Sequence, residues 1–122
     1  MEEITIRIMD VVGGDICVSP TDGGKVYDAI KAEVQKGSRV KLSFFGVTRL
    51  TTAFLNAAIG QLYGEFSEEK IRHHLAPPVD METWQLNLLK LATDRAKSFF
   101  RNPSAAKAAF VAVTGIEDDE DD

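Results

Sequence analysis

The segment from residue 50 to residue 64 constrains the fold more than any other part of the chain. Read at about 100° per residue, as in an α-helix, it has two opposed faces. One face is apolar and consists of Phe54, Leu55, Ala58, Ile59, Leu62, Tyr63 and the following Phe66. The other face carries almost no bulk and consists of Ala53, Ala57, Gly60 and Gly64. Because a glycine inside a helix costs about 1 kcal/mol relative to alanine, this small-residue face predicts the close approach of another element or of a partner.

Composition indicates one soluble globular domain followed by an acidic tail. The chain has 122 residues, of which 44% are hydrophobic and 27% charged, as in ordinary globular proteins. Six of the 19 acidic residues lie at positions 117–122. We therefore predict a single domain over residues 1–116 and a disordered, solubilising acidic tail over residues 117–122; the alternative is a tail that contacts a basic partner. The rest of the chain is nearly neutral, which argues against nucleic-acid binding.

The chain lacks the sequence signals of export and of membrane insertion. No apolar run approaches the roughly 20 residues that span a bilayer, and the acidic start at Glu2 and Glu3 has no signal-peptide pattern. Cys17 is the single cysteine and cannot form an internal disulfide. We expect a cytoplasmic protein that does not associate with membranes.

The first half of the chain alternates strand and helix signals. Alternating isoleucines at residues 4–8, a turn at residues 13–15 and an extended run at residues 16–18 predict an N-terminal β-hairpin. A helical apolar stripe over residues 26–34 predicts a first helix, and Gly37 stands where a C-terminal capping glycine belongs.

The second half predicts a central strand and two further helices. Residues 39–45 form a third strand with apolar side chains on both faces, and residues 52–66 form the second helix. Residues 70–75 fit a strand or a helical turn; a strand is favoured because it would add a sheet partner after the second helix. Pro77-Pro78 breaks either element, and residues 80–101 form a long amphipathic helix. The predicted fold is α/β, with a mixed sheet of about four strands packed against several helices.

Two alternatives stay open in the C-terminal part. Trp84, Leu88 and Leu91 of the long helix either belong to the core or mediate self-association. Residues 105–113 fit a final helix or a final strand, since an alanine-rich half precedes a β-branched one.

The only segment that resembles a phosphate-binding loop fails the full pattern. Gly23-Gly24-Lys25 would need a glycine five positions before Gly24 and a hydroxyl residue after the lysine. Ser19 and Val26 occupy those positions. A turn at the start of a helix explains the glycines.

No residue set predicts catalysis or metal binding. The adjacent His73 and His74 point to opposite faces of a strand or diverge by about 100° on a helix, so they do not converge on one ion. Cys17 has no base nearby in the sequence and is interpreted as a buried core residue. We expect no metal, no cofactor and no enzymatic activity.

Thr51 and Thr52 stand at the predicted start of the second helix. A threonine oxygen at this place caps a free amide of the first turn. Because a helix N-terminus stabilises negative charge, it also tolerates a phosphothreonine, so both residues are candidate phosphorylation sites. The same free amides could instead hold an anionic small molecule or a nucleotide.

Two segments of the chain are informative together: Phe44-Phe45-Gly46-Val47-Thr48 and Thr52-Ala53-Phe54-Leu55-Asn56-Ala57-Ala58-Ile59-Gly60-Gln61-Leu62-Tyr63-Gly64. They resemble the STAS-like family, and more closely its bacterial branch, the STAS-like domain of unknown function. The resemblance covers roughly residues 16–100 and is densest over residues 40–63. It implies a STAS-type sheet with helices against it.

The better-known relatives are anti-sigma-factor antagonists, in which the loop after the third strand carries an Asp-Ser-Ser-Gly motif. A partner kinase phosphorylates a serine of that motif and so switches binding. Laid on this chain, the motif falls on Thr51, Thr52, Ala53 and Phe54, so Ala53 stands at the phosphoserine position and only Thr52 retains a serine-like hydroxyl. The resemblance thus implies the docking surface more strongly than the switch.

The sequence therefore predicts a non-enzymatic, regulatory protein-interaction module of bacterial, STAS-like type. Its partner would dock at the start of the second helix and along the small-residue face. That surface comprises Thr51, Thr52, Ala53, Asn56, Ala57, Gly60 and Gly64. A histidine-kinase-like ATPase is the partner class that the resemblance implies; the alternative function is binding of a small molecule or nucleotide at the same helix start.

Overall fold

The computed structural model describes residues 1–102. The elements follow in the order β1 (Glu3–Arg7), α1 (Ile8–Val12), β2 (Ile16–Cys17), α2 (Pro20–Gln35), β3 (Arg39–Ser43), β4 (Arg49–Leu50), α3 (Thr52–Leu55), a π-helical segment (Asn56–Gly60), α4 (Leu62–Glu65), α5 (Glu68–His74) and α6 (Thr83–Arg101). We call the run over residues 52–65, in which only Gln61 is a turn residue, the central helix. The α/β class predicted from the sequence is confirmed.

Strand β3 lies at the centre of the larger group of strands, as predicted. Strand β1 pairs with it in parallel, in a register that runs from Glu3 opposite Arg39 to Arg7 opposite Ser43. On the other side, residues 75–79 run parallel to β3 without forming a regular strand. The amide of Ala76 donates to the Val40 carbonyl at 2.8 Å, and that of Val79 donates to the Leu42 carbonyl at 2.9 Å.

The predicted N-terminal hairpin is wrong. After β1 the chain turns into the short helix α1, which Gly13 ends in a left-handed conformation with φ 89°. Strand β2 then pairs with β4 in parallel instead of with β1. An antiparallel hairpin needs a short reversing turn, whereas parallel partners need a long connection, here supplied by α2. Within residues 1–102 the four strands form two separate two-stranded sheets, β1-β3 and β2-β4, and both are parallel.

Helix α2 has the ends that its sequence predicts. The Ser19 hydroxyl accepts a hydrogen bond from the Asp22 amide at 3.1 Å, and Pro20 occupies the first turn. At the other end Gly37, with φ 88°, reverses the chain, and the Ser38 amide donates to the Glu33 carbonyl at 3.0 Å. This is a Schellman ending, in which a glycine relieves the steric cost of positive φ.

The central helix spans the predicted range, with a wider turn in its middle. Five residues of the predicted apolar face are buried: Phe54, Leu55, Ala58, Ile59 and Leu62. Within the π-helical segment the Gln61 amide donates to the carbonyl of Asn56, five residues earlier, at 3.0 Å. Such single π turns inside an α-helix often occur at functional sites.

The strand favoured for residues 70–75 is also wrong, because these residues belong to helix α5. The Ser67 hydroxyl caps the helix by accepting from the Lys70 amide at 3.1 Å. Glu68 and Glu69 lie in its first turn and basic residues in its last, an arrangement that complements the helix dipole. The sheet partner expected from this region comes instead from residues 75–79.

Helix α6 begins three residues later than predicted and ends at the predicted residue, Arg101. Glu82 and Gln85 cap its start reciprocally, each side chain accepting from the other's backbone amide. The predicted elements at residues 105–113 and the predicted acidic tail at residues 117–122 lie outside the described residues.

Candidate functional site

The two threonines at the start of the central helix have different surroundings. The Thr51 hydroxyl accepts a hydrogen bond from the Phe54 amide at 3.1 Å and donates to the Val18 carbonyl at 2.8 Å. It therefore caps the helix and ties it to the end of β2. The Thr52 side chain is half-buried and makes no hydrogen bond within residues 1–102. Of the two hydroxyls, that of Thr52 is the one that can be modified without loss of the cap.

This difference predicts unequal effects of the same substitution. Thr51→Val should destabilise the protein by about 1–2 kcal/mol, because the Phe54 amide loses its cap and the Val18 carbonyl loses its donor. Thr52→Val should change the free energy of unfolding by less than about 0.5 kcal/mol. Urea denaturation of both variants measures the difference, and equal losses would contradict the assignment of the cap to Thr51.

Internal packing accounts for much of the small-residue face. A Cβ added to Gly23 of α2 would lie 2.8 Å from the Ala57 Cβ, so α2 approaches the central helix closely on one side. Gly60 is buried, and a Cβ there would lie 3.2 Å from the Ala96 Cβ of α6. Gly60 therefore lies inside the molecule and not on the exposed part of the predicted docking surface.

Gly64 is also covered in part by α6. A Cβ at Gly64 would lie 2.5 Å from a ring carbon of Phe100, although the residue keeps an exposed backbone. Ala53 and Asn56 are exposed, and Ala57 is half-buried. The accessible part of the predicted surface thus runs from Thr52 along these residues to Gly64.

An open groove of about 500 Å³ borders this accessible face at Ala57 and Gly64. It is lined by α2, the central helix and Phe100 of α6. The residues that line it include Gly24, Tyr27, Ala57, Gln61, Gly64 and Phe100. Sequence analysis missed the contribution of Gly24 and Tyr27. The sequence signal that could have indicated this contribution was the pair of glycines, Gly23 and Gly24, in a segment whose other residues predict a helix.

The groove carries one ion pair at its edge. The Lys31 ammonium lies 3.2 Å from a Glu65 carboxylate oxygen and 5.8 Å from the centre of the Tyr27 ring. The hydrogen bond to Glu65 raises the pKa of Lys31, so this charge persists at neutral pH. Ala57 and Gly64, which also line the groove, are uncharged.

The surroundings of Cys17 argue against a role as a nucleophile. Cys17 is fully buried, and burial, followed by the charges of Asp22 and Asp15, raises the pKa of its thiol to about 11. The thiol therefore stays protonated at neutral pH and is a poor nucleophile.

The histidine pair belongs to the C-terminal end of α5. The His74 Nδ1 lies 2.9 Å from the Ser38 carbonyl, and Arg39 donates to the His73 carbonyl at 2.8 Å. Both contacts join α5 to the start of β3. Within residues 1–102, no three His, Cys, Asp or Glu side chains lie close enough together to hold a metal ion.

The parallel strands are joined by helices, and the start of the central helix and the groove are exposed on one side. These features define an α/β domain. Residues 22–77 match the family described as the STAS-like domain of unknown function (DUF4325). The matched segment runs from the first turn of α2 to Pro77 and includes the central helix, which confirms the resemblance stated from the sequence.

Other comparisons add two findings. No curated protein and no solved structure gives a significant match to the chain. In the part of the chain that the structure describes, no helix has the length and apolar content needed to cross a membrane.

Proposed function

We propose that this chain is a non-enzymatic, regulatory protein-interaction module of the cytoplasm. Its partner binds the start and the accessible face of the central helix, over Thr52, Ala53, Asn56, Ala57 and Gly64. The observation that carries the proposal is the division of this helix into two sides. One side is anchored by five buried apolar residues, whereas the other presents small, uncharged residues beside an open groove.

The shape of the groove favours a protein partner over a small ligand. Pockets for small molecules enclose most of the ligand surface, typically about 70–90%. This groove is largely open to solvent, so a small molecule would keep much of its surface in water. A protein can cover the groove and the adjoining helix start together, and small residues allow its backbone to approach closely.

The side chains at the helix start support regulation through Thr52. Its hydroxyl is free of hydrogen bonds within the described residues and stands at the first helical position. A phosphate there would add about −1.5 to −2 charges to an otherwise uncharged surface, while the helix N-terminus would stabilise it. The resemblance to anti-sigma-factor antagonists supports a histidine-kinase-like ATPase as the partner class.

Replacement of Ala53 by arginine is expected to weaken partner capture at least tenfold, since a buried, unpaired charge costs more than about 1.4 kcal/mol at an interface. Ala53 is a better position than Ala57, because the Ala57 methyl already lies against α2. The measurement is quantitative affinity capture from the native cell, with phosphopeptide mass spectrometry to detect modification of Thr52.

The matched control is Ala32→Arg. Ala32 is an exposed alanine on α2, on the side turned away from the central helix. This variant should capture the same partner as the unmodified protein. Equal capture by Ala53→Arg and Ala32→Arg would contradict the proposed surface.

A further inference from the structure

Helix α6 carries its largest apolar side chains on the outside. Trp84 is 42% exposed, Leu91 40% and Phe99 41%. The residues that α6 buries fully are Gln85, Ala92 and Ala96, and Leu88 and Leu89 pack against the core with part of their surface. An amphipathic helix of a monomer normally places its largest apolar residues on the core side, so the exposure of these three large side chains indicates a second contact surface.

The exposed residues form a regular seam. Trp84, Leu88, Leu91 and Arg95 follow one another at steps of four, three and four residues, which is the spacing of a helix–helix seam. Leu88 is half-buried, with part of its side chain packed against the core, and the other three are exposed. We call these four residues the α6 seam.

We propose that the α6 seam binds the same seam of a second copy of this chain, with the two helices antiparallel. This interface is separate from the proposed partner surface and lies outside the STAS-like match. The antiparallel register that places Leu88 opposite Leu91 of the second copy also places Trp84 opposite Arg95 of the second copy. Two leucine pairs then form the centre, and a cation–π contact lies at each end.

Charge favours this arrangement over a parallel one. Arg95 forms no ion pair, hydrogen bond or ring contact within residues 1–102. A parallel pair would bring the two copies of Arg95 together, whereas the antiparallel pair gives each a tryptophan face. The nearby Lys90 and Asp94 already pair within the helix at 3.2 Å, so they add little net charge beside the seam.

Sedimentation velocity of the full chain over a range of concentrations tests the proposal. The unmodified protein should form a dimer, and Leu91→Glu should raise the dimer dissociation constant about thirtyfold or more, because it introduces a charge at the centre of the interface. Trp84 is the only tryptophan of the chain, so its fluorescence emission should shift to shorter wavelength as the dimer forms.

The matched control is Leu86→Glu. Leu86 is 44% exposed on the same helix but lies about 200° around the axis from Trp84. This variant should dimerise like the unmodified protein. A protein that stays monomeric at every concentration would overturn the proposal, as would a dimer that Leu86→Glu disrupts and Leu91→Glu does not. If the protein is a monomer and Leu91→Glu lowers its melting temperature, another segment of the same chain covers the α6 seam. That result would also overturn the proposal.

Distances between spin labels test the register. Cys17 is buried and its thiol is protonated, so single cysteines introduced by Asn87→Cys or Ser98→Cys can be labelled selectively. At a rise of 1.5 Å per residue and a helix separation of about 9 Å, the antiparallel register places the two backbones about 12 Å apart at position 87 and about 27 Å apart at position 98. Similar short distances at both positions would show a parallel pair and contradict the register.

Discussion

Replacement of Gly23 by alanine is expected to lower the stability of the fold by about 2 kcal/mol, or the melting temperature by about 8 °C. The added Cβ would lie 2.6 Å from the Phe54 carbonyl oxygen and 3.2 Å from the Ala58 amide nitrogen. Both are backbone atoms of the central helix, so they cannot rotate away. Helix α2 and the central helix would have to separate. The free energy that this separation costs exceeds the gain of about 1 kcal/mol in helix propensity.

The neighbouring glycine supplies the control. Gly24 belongs to the same helix, and a Cβ added there would meet nothing within 4 Å. Gly24→Ala should therefore stabilise the protein by about 0.5–1 kcal/mol. Thermal and urea denaturation of the two variants measure the contrast. Equal stability of Gly23→Ala and Gly24→Ala would show that the two helices are not packed this closely.

Replacement of Gln85 by methionine should destabilise the protein by about 2–4 kcal/mol. Gln85 is buried at the start of α6, where its amide group donates to the Val47 carbonyl at 3.0 Å and accepts from the Glu82 amide at 2.9 Å. Methionine has nearly the same shape but makes neither bond. A buried polar group left without a partner costs about 1–3 kcal/mol, which applies to the Val47 carbonyl, and the part-buried hydrogen bond of the Glu82 amide is lost in addition. Urea denaturation measures the loss.

Gln61→Met is the matched control for this prediction. Gln61 is exposed and makes one long hydrogen bond to Asn56, at 3.4 Å. Its replacement should change the free energy of unfolding by less than about 0.5 kcal/mol. A loss at Gln85 no larger than the loss at Gln61 would mean that α6 is not anchored through this side chain.

The periodic parts of the chain were predictable because each helix shows its pattern locally. The apolar face of the central helix, the buried stripe of α2 and the end of α2 at Gly37 all appear in the structure as the sequence predicted. The threonine cap was predictable too, since Thr51 directly precedes the first turn it caps. The sequence did not show which of Thr51 and Thr52 forms the cap, because that distinction depends on the Val18 carbonyl, 33 residues from Thr51 in the chain.

The wrong predictions share one cause, which is that strand pairing is not local. The alternation at residues 4–8 correctly indicated a strand, but it contained no information about which strand pairs with it, and the partner is β3. The same limit applies to residues 70–75, where the expected sheet partner is supplied a few residues later by residues 75–79. A short apolar run fits a helix or a strand about equally well, so its surroundings decide.

The sequence by itself determined that α2, the central helix and α6 are helical, approximately where they begin and end, and that the central helix has one face without bulk; it did not identify α1 or α5 as helices. Hydrogen bonds between near neighbours and a period of 3.6 residues suffice for that. Only the tertiary structure decided that α2 packs against Ala57 and α6 against Gly60, and that Trp84 and Leu91 of α6 face outward. A helical pattern shows that a helix has two faces, but which face meets the body depends on contacts between residues far apart in the chain.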